Sequence, residues 1–545
     1  MKKSNVLIAA LSVACVPLIA DAAEVSVQIR LAAPDALEVS YALPPQCKQL
    51  PFLKNGNSGQ QIRAAWQALD DCGTAGGEAL SRNQDACPVL RFRVPATTNK
   101  ISGYPGAFPL DGGIYVHTSN YAPGEACGQV SYHFQAPGIA TEGQAYQGAV
   151  TASAPNGGDT SALLLQAPMQ AGAATLAYYD ARLSAAAVAQ IKEVADGTVS
   201  FLRTALPDAV FKAPILAAVA ATEAGGPNIG GSASDVLLLS FFNWPQQPGP
   251  KEHAKMTLLV AHEFSHRFQM RDAVDDYPDA RLIHEGGGEF LRWMTSLQKG
   301  WLSHQEAADD LDNALANCVL YTNQKNWRAL TPAAIGGNRL EYRCGLPAYV
   351  YALAARQGSG SALKRFNDFY KELRQGQTPD FGQALECGAD QQCQARWLPL
   401  LLGQGAPMEV QWHQLLSDSG LARPRPPTQN ERDVMSLEAV VKLMRDDCGG
   451  RSSTTETPDG ILLDGMSACK TLKADAYVTR IEDQPVFGGT AAGPAMAAAC
   501  IARHEVRLGM KNGDSLTVPC EQPYQLHQEF YGVDIEKVLA KLLRE

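Results

Sequence analysis

No Cys-x-x-Cys pair occurs among the thirteen cysteines of this 545-residue chain, which argues against a cysteine-ligated zinc framework. No long Lys/Arg run and no basic helix accompanies the formal net charge of −10, so nucleic acid is not expected as a partner. Beyond the N-terminus no apolar stretch reaches membrane-spanning length, and the mature chain is expected to have no span. Neither an internal repeat nor a low-complexity tract is visible. Gly225 to Gly231 is glycine-rich, but it lacks the Lys-Ser/Thr ending of a phosphate-binding loop and no helix is expected after it, so it reads as a flexible loop. Charged residues make up only 19% of the chain and apolar residues 46%, too apolar for wholesale disorder. The length is too great for a single core and calls for two to four domains.

The N-terminus reads as an address. Met1-Lys2-Lys3 is basic, Val6 to Ala20 is apolar, and Ala20-Asp21-Ala22 has the small-x-small pattern of a cleavage site. A secretory signal over 1–22 is the expectation, with the mature protein periplasmic or outside the cell. A lipid anchor on Cys15 is the alternative, although Ser12 sits where that motif wants an aliphatic residue. Secretion gives the other twelve cysteines a meaning, because they meet an oxidising compartment. They fall into three groups: Cys47, Cys72, Cys87, Cys127; Cys318, Cys344, Cys387, Cys393; and Cys448, Cys469, Cys500, Cys520. Bridges closed within each group are expected, Cys387–Cys393 as a local loop.

Hydrophobic periodicity sets the organisation. Val25, Val27, Ile29 and Leu31 alternate, as do Leu90, Phe92 and Val94, which predicts an N-terminal β-domain over 23–154. Ser184 to Leu202 reads as a helix, and Ala213 to Ala221 and Asp235 to Phe242 as strands. From Glu252 to about Ser417 helices dominate. The proline-rich stretch beginning at Ala422 reads as a stiff linker, 422–440. The final segment, 441–545, returns to strands, including a hairpin turning at Lys511-Asn512-Gly513.

Chemistry concentrates in "LLVAHEFSHRFQ", Leu258 to Gln269. Leu258, Leu259, Ala261, Phe264 and Phe268 form an apolar stripe, so the stretch should be helical. His262 and His266 then lie one turn apart on one face, with Glu263 beside them. Two imidazoles on one face suit a zinc ion, and a catalytic zinc takes three protein ligands. A bland reading of two histidines satisfied within a core or a surface also fits the pattern. The third ligand is sought on a second helix, "LIHEGGGEFLRW", which offers Glu285, with His284 as competitor. Glu289, one turn further, would hydrogen-bond a ligand imidazole and fix its tautomer; otherwise it is a solvated charge.

His262-Glu263-x-x-His266, eighteen residues (267–284), then Glu285 resembles the signature of the gluzincin metallopeptidases. Glu285-Gly286-Gly287-Gly288-Glu289-Phe290 stands where the aminopeptidase N family often has Glu-Gly-Phe-Ala-Glu-Tyr. The resemblance implies His262, His266 and Glu285 as ligands of one zinc ion and Glu263 as general base. Tyr342-Arg343-Cys344-Gly345 matches the family's Tyr-x-x-Gly and implies Tyr342 as oxyanion donor, against a packing role shared with Tyr349 and Tyr351. The order of segments is most similar to the glycyl aminopeptidase family. It implies a β-domain, then a thermolysin-like, mainly helical α+β zincin domain over 155–421, then a degenerate PDZ-like α+β domain.

Two features depart from the family. The Gly-Ala-Met-Glu-Asn segment that binds a substrate's free amine is absent, and Glu223 to Asn228 is a poor substitute. Arg267 also stands where an uncharged residue is usual. The implied activity is zinc-dependent hydrolysis of peptides or proteins, aminopeptidase-like. The alternatives are a vestigial zincin scaffold that binds partners, and a zinc hydrolase of non-peptide substrates.

Overall fold

The computed structural model describes residues 24–544 apart from 54–56, 102–103, 125–126, 153–159, 170–175, 223–225, 323, 357–359, 449–452, 458, 465–468, 474–475 and 521–528. The expected signal segment 1–22 and the first half of Glu223 to Asn228 lie outside the described residues. The chain forms two compact units: residues 1–188 with 213–248, and residues 189–212 with 249–545.

In the first unit, alternation gives a strand with one dry face. Val25, Val27 and Ile29 on Glu24–Ala33 are fully buried and the residues between them are not. That strand lies at the centre of a nine-stranded sheet, antiparallel to Ala36–Ala42 and parallel to Gln129–Thr141. A second sheet orders Ala177–Tyr179, Ile215–Ala221, Val236–Phe242 and Asn228–Ala233. The first three strands are parallel and the last is an antiparallel edge. The expected flexible loop is therefore largely strand. Every residue of Val236–Phe242 is buried, and the exposed ladder of that strand recruits a neighbour whose glycines contribute backbone hydrogen bonds and no side chain.

In the second unit, helices enclose one large apolar core around Trp293, Tyr349, Phe366 and Trp412. A smaller core lies between the helices Gln429–Cys448 and Ala492–Arg503 and a sheet that includes Gly460–Asp464, Tyr477–Ile481, Glu505–Met510 and Ser515–Pro519. The Glu505–Met510/Ser515–Pro519 hairpin turns where expected, with Gly513 at φ 90°. The stiff linker is not observed. Ala422–Arg425 is a strand paired with Phe530–Val533, and Gln429–Cys448 is a helix. The prolines are tolerated because the strand stands in a two-stranded sheet and its remaining N–H groups suffice. The C-terminal helix Ile535–Leu542 returns to the large core through Val538 and Leu542.

All twelve cysteines pair within their three groups: Cys47–Cys127, Cys72–Cys87, Cys318–Cys344, Cys387–Cys393, Cys448–Cys469 and Cys500–Cys520. No helix among the described residues is long and apolar enough to cross a membrane.

One half-buried carboxyl is expected to make the second unit pH-sensitive. Burial pushes Glu438 up to about 7, against Arg445 at 3.1 Å and the charge of Arg343. The folded state therefore holds this proton more tightly than the unfolded chain does, and stability falls as pH rises from about 4.5 to 7. Glu438→Gln is expected to stabilise the protein by about 1–2 kcal/mol at pH 8 and to change little at pH 4. Thermal melts at the two pH values check this, and an equal effect at both would refute it.

Candidate metal centre

The helix that carries the histidines, Pro250–Ser265, starts with proline in its first turn and Glu252 capping the Gly249 N–H at 2.9 Å. It ends earlier than the apolar stripe implies. His266–Phe268 is a tighter 3₁₀ turn, with His266 as the helix cap and its N–H bonded to His262 O. The one-turn relation survives, and Nε2 of His262 and Nε2 of His266 are 2.8 Å apart.

Glu285 arrives on a single π-helical turn, Leu282–Gly286, that leads into the helix Gly287–Gln298. Such turns re-aim a side chain within a helix. Glu285 Oε2 lies 3.2 Å from His266 Nε2 and 3.7 Å from His262 Nε2. These three residues form a compact donor cluster. His284, the competing candidate, is not in it. Its ring stacks on His266 at 4.3 Å, and burial pushes its pKa well down.

The triple glycine has a steric cause at each position. A Cβ on Gly286 would lie 2.7 Å from Gly345 Cα, one on Gly287 2.6 Å from Gln269 Nε2, and one on Gly288 2.7 Å from the His266 ring. The two helices approach closely because nothing projects between them.

Polar side chains lie behind both imidazoles. His262 Nδ1 is 2.8 Å from Glu289 Oε1. Arg292, 4% exposed, donates to Glu289 through Nε at 3.1 Å and to Asp310 at 2.9 Å. Gln269 accepts at His266 Nδ1 and donates to His284 O at 2.8 Å. Gln269, Arg292 and Asp310 carry no pattern that sequence reasoning could use, since each acts through a neighbour.

Charge and burial oppose each other here. Burial lowers His262, but Glu289, Glu285 and Glu263 outweigh it and push it up to about 10. Burial raises Glu285 and Glu289, yet His262 with His266, and Arg292 with His262, hold them well below the usual carboxylate range. Glu263, 7% exposed, is raised, chiefly by burial, against the charges of His262 and His266. A largely buried set of two imidazoles and a carboxylate, backed by further carboxylates, draws positive charge. Its donor types fit a zinc ion in the sense of chemistry and charge.

Tyr342 lies beside the cluster, its ring 5.6 Å from that of His262. Burial raises its phenol, and the charges of Glu285 and Glu263 add to that. Tyr349 and Tyr351 are elsewhere: Tyr349 donates to Ile283 O at 2.8 Å, and Tyr351 stacks on Trp397. Arg267 donates to Lys212 O at 3.0 Å through Nε.

Neither a protein-family model nor a curated protein matches the sequence. Solved structures do match. An aminopeptidase N family protein from Idiomarina loihiensis superposes with a TM-score of 0.55 at 12% identity, over 95% of this chain and 100% of that one. That likeness is one of fold, and the fold is multidomain, β-rich first and helical later, as in that protein. An M1 zinc metallopeptidase from Deinococcus radiodurans aligns over 73% of this chain and 92% of its own at 13% identity, with a TM-score of 0.37. Native yeast LTA4 hydrolase aligns over 77% and 72% at 12% identity, with a TM-score of 0.38. Both scores are too low for the folds to be equated.

If Glu289 orients His262, Glu289→Gln should weaken zinc binding by about 10–100-fold. Competition with a chromogenic chelator measures this, and wild-type affinity in a folded variant would show that the pair is incidental.

Proposed function

We propose that the chain is a zinc-dependent metallopeptidase of the gluzincin type, with His262, His266 and Glu285 holding one ion. The observation that carries the reading is the convergence of three donor atoms from two helices, within 3.7 Å of one another. When bound, zinc supplies Lewis acidity, polarising a carbonyl and making a water easier to deprotonate. Glu263 takes the proton of the attacking water and returns it to the leaving amine. Tyr342 donates to the carbonyl oxygen as negative charge develops there. Glu289 and Gln269 keep the imidazoles in the tautomer that leaves Nε2 unprotonated.

The partners are peptides or proteins. Of the division into 23–154, 155–421 and 441–545, the final PDZ-like domain is supported by the separate apolar core of the C-terminal sheet and helices, while Tyr531, Val538 and Leu542 of that segment join the large core. A secreted or periplasmic location is supported by six disulfides and the basic-apolar-small N-terminus.

The test is zinc analysis of the full chain followed by a panel of aminoacyl coumarin amides and peptides with free and with blocked N-termini. Both ends are included because the family's amine-binding segment is absent. Zinc-dependent cleavage is expected. A zinc-loaded protein that cleaves no member would end the peptidase reading, and a protein that takes up no zinc would end the metal reading.

A further inference from the structure

Tyr342 belongs to an element that cannot hold itself in place. Leu340–Arg343 is a four-residue helix, far below the length at which a helix is stable alone. It begins after Arg339, whose φ of 52° is left-handed and costly for a residue with a side chain. On that same side Gly336 and Gly337 have open space where a side chain would lie. What fixes the helix therefore comes from its neighbours.

Four attachments flank the tyrosine. Glu341, 1% exposed, accepts from Arg281 Nε at 3.1 Å, and Arg281 immediately precedes the π turn that bears Glu285. The Arg343 guanidinium lies over the Tyr321 ring at 4.1 Å. Cys344 is bonded to Cys318, and both are buried. Gly345 rests against Gly286. Glu341 and Gly345 thus tie the segment to the turn carrying Glu285, while Arg343 and Cys344 tie it to the helix His304–Thr322. Between these attachments the Tyr342 ring lies 5.6 Å from that of His262.

We propose that the Cys318–Cys344 bridge and Glu341 are positioning residues for Tyr342, holding its phenol over the His262–His266–Glu285 cluster. The inference rests on the zinc-peptidase reading of that cluster. A bridge that only stabilised the unit would act on folding alone. A bridge that aims Tyr342 acts on whatever its phenol contacts, and a misplacement of about 1 Å is enough to cost about a hundredfold in rate. Cys387–Cys393 supplies the control, since it closes a local loop in the same unit with no candidate site residue beside either cysteine.

The experiment compares the zinc-loaded full chain with Cys318→Ala/Cys344→Ala, Glu341→Gln and Cys387→Ala/Cys393→Ala, each with and without Tyr342→Phe. Three quantities are read: zinc content, calorimetric affinity for a phosphinic dipeptide whose tetrahedral anionic oxygen mimics the developing oxyanion, and kcat and KM on a peptide amide. Loss of the Cys318–Cys344 bridge is expected to leave zinc bound and KM within about threefold, while phosphinate affinity and kcat fall about 10–100-fold. Glu341→Gln should fall in the same direction, and the control bridge should change neither. In the Tyr342→Phe background, removing the Cys318–Cys344 bridge should cost nothing further, the non-additivity of groups acting as one.

The proposal is overturned if the bridge variant binds phosphinate as wild type does, or if its loss is equally large in the Tyr342→Phe background. Should the double cysteine variant not fold, Glu341→Gln decides by the same two comparisons. Unchanged phosphinate binding and kcat in zinc-loaded Tyr342→Phe overturns this inference and leaves the metal centre standing. A wild-type chain that takes up no zinc overturns both.

Discussion

Glu263→Gln is expected to lower kcat by about 10²–10⁴-fold, the range for loss of a general base, with zinc content unchanged. The separation of the two effects follows from geometry. The donor cluster consists of His262, His266 and Glu285, so in the proposed site Glu263 would not be needed to hold an ion. It sits next to His262 in the sequence, 7% exposed, and burial holds its carboxyl above the usual range. A carboxylate raised in this way binds a proton more readily, which suits a group that takes one from water and returns it to an amine. Glutamine keeps the shape and removes the basicity, so packing around the Pro250–Ser265 helix should be undisturbed. Single-turnover kinetics with metal analysis make the measurement. A folded, zinc-loaded variant with wild-type kcat would end the assignment of Glu263 as base, and a variant that has lost zinc would show that Glu263 serves the ion instead.

What could be read in the sequence is what periodicity encodes. Two histidines one turn apart in an apolar stripe define a face before any coordinates exist, and the resemblance to the gluzincin signature, not periodicity, points to Glu285 as their partner. Cysteine grouping was legible for a similar reason: bridges form within locally folded regions, and each group of four closes on itself. What could not be read depends on distant neighbours. Gln269 carries no motif, yet it contacts both His266 and the His284 carbonyl. Arg292 and Asp310 look like surface charges until the Gly287–Gln298 and His304–Thr322 helices bring them together behind Glu289. Gly225 to Gly231 reads as a loop because glycine has low strand propensity; pairing with the fully buried Val236–Phe242 strand overrides that preference from Asn228 on. The linker expectation failed likewise, because proline content predicts stiffness but not the strand Phe530–Val533 that pairs with it.

The second large effect is expected from a glycine outside the metal motif. A Cβ on Gly345 would lie 2.4 Å from Gly286 Cα and 3.1 Å from Gly286 N. Both are backbone atoms, so no side-chain rotation relieves the clash, and one of the two segments must move. The Gly286 segment is the π turn, and Glu285 is the adjacent residue. Gly345→Ala should therefore displace the third donor from the imidazole pair. We expect zinc affinity to fall by about tenfold or more and stability to fall by about 1–3 kcal/mol, the usual cost of overpacking. Gly337→Ala is the matched control, because its Cβ meets open space and alanine is the better helix former. Chelator competition and thermal melts on the two variants decide the matter. If Gly345→Ala binds zinc as tightly as Gly337→Ala, Glu285 does not depend on this backbone contact, and the link between the Tyr342 segment and the metal turn is not mechanical. If affinity falls while the large apolar core still melts cooperatively, the contact sets the position of the ligand and not merely the packing of the helices.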